Sequence, residues 1–106
     1  MRQGFTSNQF TDADGAPEGG QTFGPGFAIA WQRGPLGRGE DRKEPNGAFV
    51  STVIAAVVDR LEFYQRGKFA CQPNAEAIEL LNAALEILDW RTKDREARGV
   101  EGTLEK

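Results

Sequence analysis

"VVDRLEFYQRGKFACQPNAEAI", residues 57–78, decides the fold, because one apolar pattern ends inside it and a second begins. Upstream, Ile54, Val57, Leu61 and Tyr64 recur at 3-4-3 spacing, with Val50 and Val53 extending the stripe. That period belongs to an amphipathic helix. It predicts a first helix from about Ala48 to Arg66, with Asn46 as N-cap and Gly67 as a left-handed stop. Downstream, Ile78, Leu81, Leu85 and Leu88 repeat the spacing, and Leu80, Ile87 and Trp90 widen the apolar arc. Asn74 is the candidate cap of this second helix, Glu76 supports its first turn, and Gly99 ends it. At 1.5 Å per residue it is roughly 36 Å long. The short connection makes the pair an antiparallel hairpin over residues 46–99.

The rest of the chain reads differently. Ten of the thirteen glycines fall within residues 1–47. Residues 1–25 are polar, Gly-rich and partly flexible, although Phe5, Phe10 and Phe23 suggest short paired strands. In "GFAIAWQRG" (26–34), Phe27, Ile29 and Trp31 alternate with Ala28, Ala30 and Gln32, the period of a half-buried strand. "GPLGRGEDRKEPNG" (34–47) is a loop with four glycines, two prolines and six charges that cancel. The expectation is a single α+β domain: a small N-terminal antiparallel β-element, a strand and loop over 26–45, then the long helical hairpin. Trp31, Trp90 and Cys71 read as buried packing residues. A hairpin and one or two strands cannot hide all the apolar surface in these stripes, which implies self-association.

Composition narrows function. With 106 residues the chain has room for one modest core, and no apolar run is long enough to span a membrane. The N-terminus lacks a signal-peptide pattern, and the single cysteine fits a reducing compartment, so a cytoplasmic location is expected. There is no histidine to shuttle protons and no metal-ligand, P-loop or serine-hydrolase motif. We therefore expect neither an enzyme nor a cofactor or metal. A net charge of −3 argues against binding DNA or RNA, which rests on many phosphate contacts.

What remains is a local anion site. In "RTKDREARGVEG" (91–102), Arg91 and Arg95 are four apart and share a helix face. Their guanidinium forks suit two phosphates or a pyrophosphate. Cations near a helix C-terminus also offset its dipole, so a structural explanation stands beside the functional one. Phe63, Tyr64 and Asn74 are candidates to contact a base or ribose; Tyr64 also fits a core position. Arg38, between Gly37 and Gly39, is the residue of the glycine loop best suited to an anion, although the loop matches no phosphate-binding fingerprint. In an antiparallel hairpin, Tyr64 and Asn74 lie at the end opposite Arg91. Either there are two sites, or a neighbouring copy completes one.

The order "WQRGPLGRGEDRKEPNGAFV", "VVDRLEFYQRGKFACQPNAEAI" and "LDWRTKDREARGVEG" resembles the phage Thoeris anti-defence sponge proteins of the first type. The resemblance runs from about Gly26 to Gly102, and its most specific part is the spacing of Asn74, Arg91, Arg95 and "GVEG". It implies a protein that binds cyclic ADP-ribose isomers made by TIR-domain enzymes and sequesters them without cleavage in the infected host. It further implies base stacking by Tyr64, a polar ligand contact by Asn74, and phosphate contacts by Arg91 and Arg95. Some members also take cyclic di- or trinucleotides, and members assemble as homodimers or trimers of dimers. The tyrosine at the aromatic position and the tail "TLEK" depart from the family pattern. The alternative reading is a helical-hairpin protein–protein interaction module with no nucleotide ligand.

Overall fold

The computed structural model describes residues 1–106. Its architecture is α+β, a three-stranded antiparallel sheet followed by two helices. The chain forms two compact units: Met1–Phe49 with Arg98–Lys106, and Val50–Ala97.

In the first unit, β1 (Thr6–Thr11), β2 (Pro17–Gly24) and β3 (Phe27–Ala30) form a meander in the order β1-β2-β3. The Gly-rich N-terminal segment is therefore mostly strand. Its turns explain why. Between β1 and β2, Asp12 Oδ1 accepts the N–H groups of Asp14 and Ala16 at 2.9 and 3.0 Å, an Asx turn that reverses the chain. Between β2 and β3, Pro25-Gly26 forms a two-residue turn with Gly26 at φ 86°, the geometry a Pro-Gly pair favours. Thr22 pairs with both Ser7 and Ile29, which puts those three side chains on one face. There the Ser7 and Thr22 hydroxyls lie 2.8 Å apart, and Trp31 Nε1 donates to Thr22 Oγ1 at 2.9 Å. Phe27, Ile29 and Trp31 alternate as expected, and Trp31 is half-buried rather than deep in a core.

After β3 the backbone runs beside residues 46–48. Ala48 N–H donates to Ala30 O at 2.7 Å, and Gln32 N–H donates to Ala48 O at 3.0 Å. This bridge holds Ala48 outside the helix, so the first helix starts at Val50. Asn46 does not cap that helix. Its amide is used on Arg33, with Oδ1 accepting Arg33 N–H at 2.8 Å and Nδ2 donating to Arg33 O at 3.0 Å.

The C-terminal residues return to the glycine loop. Gly37 N–H donates to Gly102 O at 2.8 Å, and Arg42 Nη1 reaches Glu101 Oε2 at 2.8 Å. Gly102 sits at φ 79°, and a Cβ there would strike the Gly37 carbonyl oxygen. Gly99 has a similar φ of 74° but open space around it. Gly102→Ala is therefore expected to destabilise this unit by about 2–3 kcal/mol, and Gly99→Ala by about 1 kcal/mol. Urea melts of the two variants read the difference. Equal losses would mean that the 37–43 loop gives way without cost.

The second unit is the hairpin. α1 (Val50–Gln65) and α2 (Gln72–Ala97) pack against each other, and the short connection makes them antiparallel. α1 turns inward on Ile54, Val58, Leu61 and Tyr64. Val58 is its buried residue at 7% exposure, whereas Val57, expected in the stripe, is 46% exposed. α2 contributes Ile78, Leu81, Leu85 and Leu88 to the seam, as their spacing predicts. Its flanking residues Leu80, Ile87 and Trp90 are 73%, 60% and 72% exposed, so Trp90 is not a core residue. Gly67 is not in the left-handed region; α1 ends by tightening, with Gly67 N–H donating to Tyr64 O at 3.1 Å. Cys71 is exposed, contrary to expectation, because the connection it sits in runs along the surface. No helix is long and apolar enough to cross a membrane.

Candidate functional site

The connecting end of the hairpin is built by local hydrogen bonds. Gln65 clamps it: its Oε1 accepts Cys71 N–H at 3.0 Å and its Nε2 donates to Cys71 O at 3.1 Å. One amide side chain thereby fixes the spacing between the end of α1 and the start of α2. Asn74 lies within the first turn of α2, half-buried, and its Nδ2 donates to Phe69 O at 3.4 Å. It therefore ties the connection to the helix instead of capping the helix from outside. Pro73 also falls in that first turn, where its missing N–H costs no intrahelical bond.

Tyr64 and Phe63 close α1 at the same end. Tyr64 is half-buried and Phe63 exposed, with ring centroids 6.0 Å apart and planes tilted by 53°. Arg60 lies three and four residues before them, the spacing that brings helical side chains together. Its guanidinium carbon is 5.1 Å from the Phe63 centroid and 5.0 Å from that of Tyr64. Its Nε–H also donates to Tyr64 Oη at 3.3 Å. Beyond the end of α1, Lys68 Nζ sits 5.7 Å from the exposed Phe69 ring. This end thus combines aromatic faces, an amide and three cations, Arg66 being the third.

Arg91 and Arg95 lie near the far end of α2. They share a face, Arg91 exposed and Arg95 half-buried. Seventeen residues separate Arg91 from Asn74, which along a helix is about 25 Å. The charges follow this division. Residues 69–90 carry Glu76, Glu79, Glu86 and Asp89 but no lysine or arginine. Basic residues gather at the two ends instead: Arg60, Arg66 and Lys68 at one, Arg91, Lys93 and Arg95 at the other. The hairpin therefore places Phe63, Tyr64 and Asn74 at its connecting end and Arg91 and Arg95 towards the other.

Arg38 belongs to the sheet unit, where its Nη1 donates to Glu101 O at 2.9 Å. That contact helps to seat the C-terminal turn on the glycine loop. The same unit has an open cleft of about 600 Å³ between Phe10, Glu18, Gly19, Trp31, Arg33 and Asn46. The Asn46 amide and the Arg33 backbone are already engaged with each other in its wall. Arg60 went unread in the sequence, although its spacing to Phe63 and Tyr64 in "DRLEFYQ" carries the signal.

No protein-family model matches the chain. Among curated proteins it is similar to Thoeris anti-defense 1 of Bacillus phage SBSphiJ7, with 49% identity over 61 residues. The match covers 58% of this chain and 43% of the phage protein, less than half of that relative's length.

Proposed function

We propose that the chain is an anti-defence sponge, which binds cyclic ADP-ribose-type immune signals, withholds them from the effector of TIR-based immunity, and leaves them uncleaved. The observation that carries this reading is the 49% identity to Thoeris anti-defense 1. The chemistry of the hairpin ends supports it. Aromatic rings and an amide suit a purine and its ribose, and paired arginines suit phosphates. An acidic hairpin whose basic residues gather at its two ends favours a small anion over a polynucleotide. The reading extends to a second site for cyclic di- or trinucleotides at Arg91 and Arg95.

Assembly is part of the proposal. Leu80, Ile87 and Trp90 are too exposed for an isolated chain to leave in water without cost, and a second copy covers such a face most simply. A homodimer, or a trimer of dimers, can also bring Arg91 of one copy towards Tyr64 and Asn74 of another. The same exposed face favours the competing reading, a hairpin that docks a different protein.

Calorimetric titration with cyclic ADP-ribose isomers, with linear ADP-ribose as control, separates the two. Submicromolar binding of one isomer with linear ADP-ribose silent is the expected result. Ligand released by heating the complex should elute unchanged on a chromatogram; a linear product would mean hydrolysis instead of sequestration. Silence towards every isomer and cyclic oligonucleotide would leave the docking protein.

A further inference from the structure

We infer that Arg60 is the cation that serves the Tyr64–Asn74 end of the hairpin, gripping a phosphate of the same nucleotide whose base stacks on the aromatic pair. This rests on the signal-binding reading above and names a residue which that reading does not include.

Three observations lead to it. The first is a charge that lacks a counter-charge. Helical neighbours of Arg60 at three and four residues are Ala56, Val57, Phe63 and Tyr64, none acidic, while Asp59 and Glu62 are at spacings that face elsewhere. No carboxylate forms an ion pair with Arg60 in a chain that has 16 acidic residues. The second is its placement. Two aromatic rings about 5 Å from the guanidinium and the Nε–H bond to Tyr64 Oη hold the side chain against the ring pair. Restriction of that kind lowers the entropy lost when a ligand is gripped. Nε is the nitrogen that binds Tyr64, so the four N–H groups of Nη1 and Nη2 remain to bind oxyanions, and they form the flat fork that fits a phosphate.

The third is distance. Within one hairpin, Arg91 is about 25 Å from Asn74 along α2 and Arg95 farther still, beyond the span of a single nucleotide stacked on Tyr64. A base on that ring needs its phosphate charge met nearby, and a guanidinium 5.0 Å from the ring centroid is in reach of it.

The test uses the full chain, the cyclic ADP-ribose isomer that binds the wild-type protein most tightly, and the variants Arg60→Gln and Arg60→Lys. Calorimetry should show at least tenfold weaker binding for Arg60→Gln and an intermediate loss for Arg60→Lys, which keeps the charge but not the fork. The melting temperatures of both variants should stay near that of the wild type. Arg60→Gln binding within twofold of the wild type would overturn the assignment. So would equal loss in both variants accompanied by a shared fall in melting temperature, since Arg60 would then be structural. A wild-type protein that binds no isomer overturns the signal-binding reading itself, and this assignment with it.

Discussion

Val58→Asp is expected to unfold the helical hairpin, while Val57→Asp, one residue away, leaves its helices formed. Val58 is 7% exposed, where α1 meets α2, whereas Val57 is 46% exposed. An aspartate at position 58 has to remain charged against apolar side chains or take up a proton to avoid doing so. Burial of an unpaired charge costs several kcal/mol, a large share of the 5–15 kcal/mol that holds a small domain together. At position 57 the carboxylate reaches water, and the cost falls to the few tenths typical of surface changes. Far-UV circular dichroism during a thermal melt reads both. Loss of helical signal in Val58→Asp alone is the expected result. Equal melting of the two variants would mean that the seam lies elsewhere on α1. Should Val57 lie between copies, light scattering would show Val57→Asp shifting towards smaller species with its helices intact.

That pair of valines also shows how far the sequence could be read. Apolar spacing was enough to place both helices and their antiparallel return, because Ile54, Leu61 and Tyr64 belong to either version of the stripe. It was not enough to choose between adjacent valines. Both are apolar, they differ by 100° around the axis, and only packing of α1 against α2 selects one. The turns between strands went largely unread for a different reason. Glycine suits mobile segments and tight turns alike, and what makes the N-terminal glycines strand and turn residues is pairing across to β2 and the Asx turn at Asp12. Asparagine misled in the same way. Asn46 and Asn74 both precede or open helices, as caps do, yet each uses its amide on a backbone group outside the helix. Side-chain identity states what bonds a residue can make, not which of several nearby partners takes them.

For the candidate residues, placement in the fold was only half legible. The opposition of Tyr64 and Asn74 to Arg91 follows from an antiparallel hairpin alone. The engagement of Arg38 with Glu101 was hidden, because it depends on the C-terminal turn folding back over 63 residues of sequence. Arg60 was missed for the opposite reason, since its partners are its nearest helical neighbours. A lone arginine on an exposed part of a helix reads as solubility until the two rings beside it are considered.

The double variant Arg91→Glu, Arg95→Glu decides what the second cluster is for, and its two roles differ enough in size to be separated. If the arginines only complement the α2 dipole, Arg95 in the last turn contributes about 0.3–1 kcal/mol and Arg91 less, and reversing both lowers stability by at most about 2 kcal/mol with ligand binding unchanged. If they grip phosphate, each charge-assisted bond is worth about 1.5–3 kcal/mol, and reversal adds repulsion to the loss. Affinity for a ligand seated there should then fall by at least about 100-fold. We expect the second result, measured by calorimetry on protein whose circular dichroism confirms folded helices. The ligand affected is as informative as the size of the effect. With about 25 Å between the clusters, a ligand confined to one hairpin cannot touch both. Loss of cyclic oligonucleotide binding with cyclic ADP-ribose binding retained would therefore mean two independent sites. Loss of cyclic ADP-ribose binding in this variant and equally in Asn74→Ala would mean that one copy supplies the arginines and another the aromatic end, in a pocket that only the assembled protein possesses.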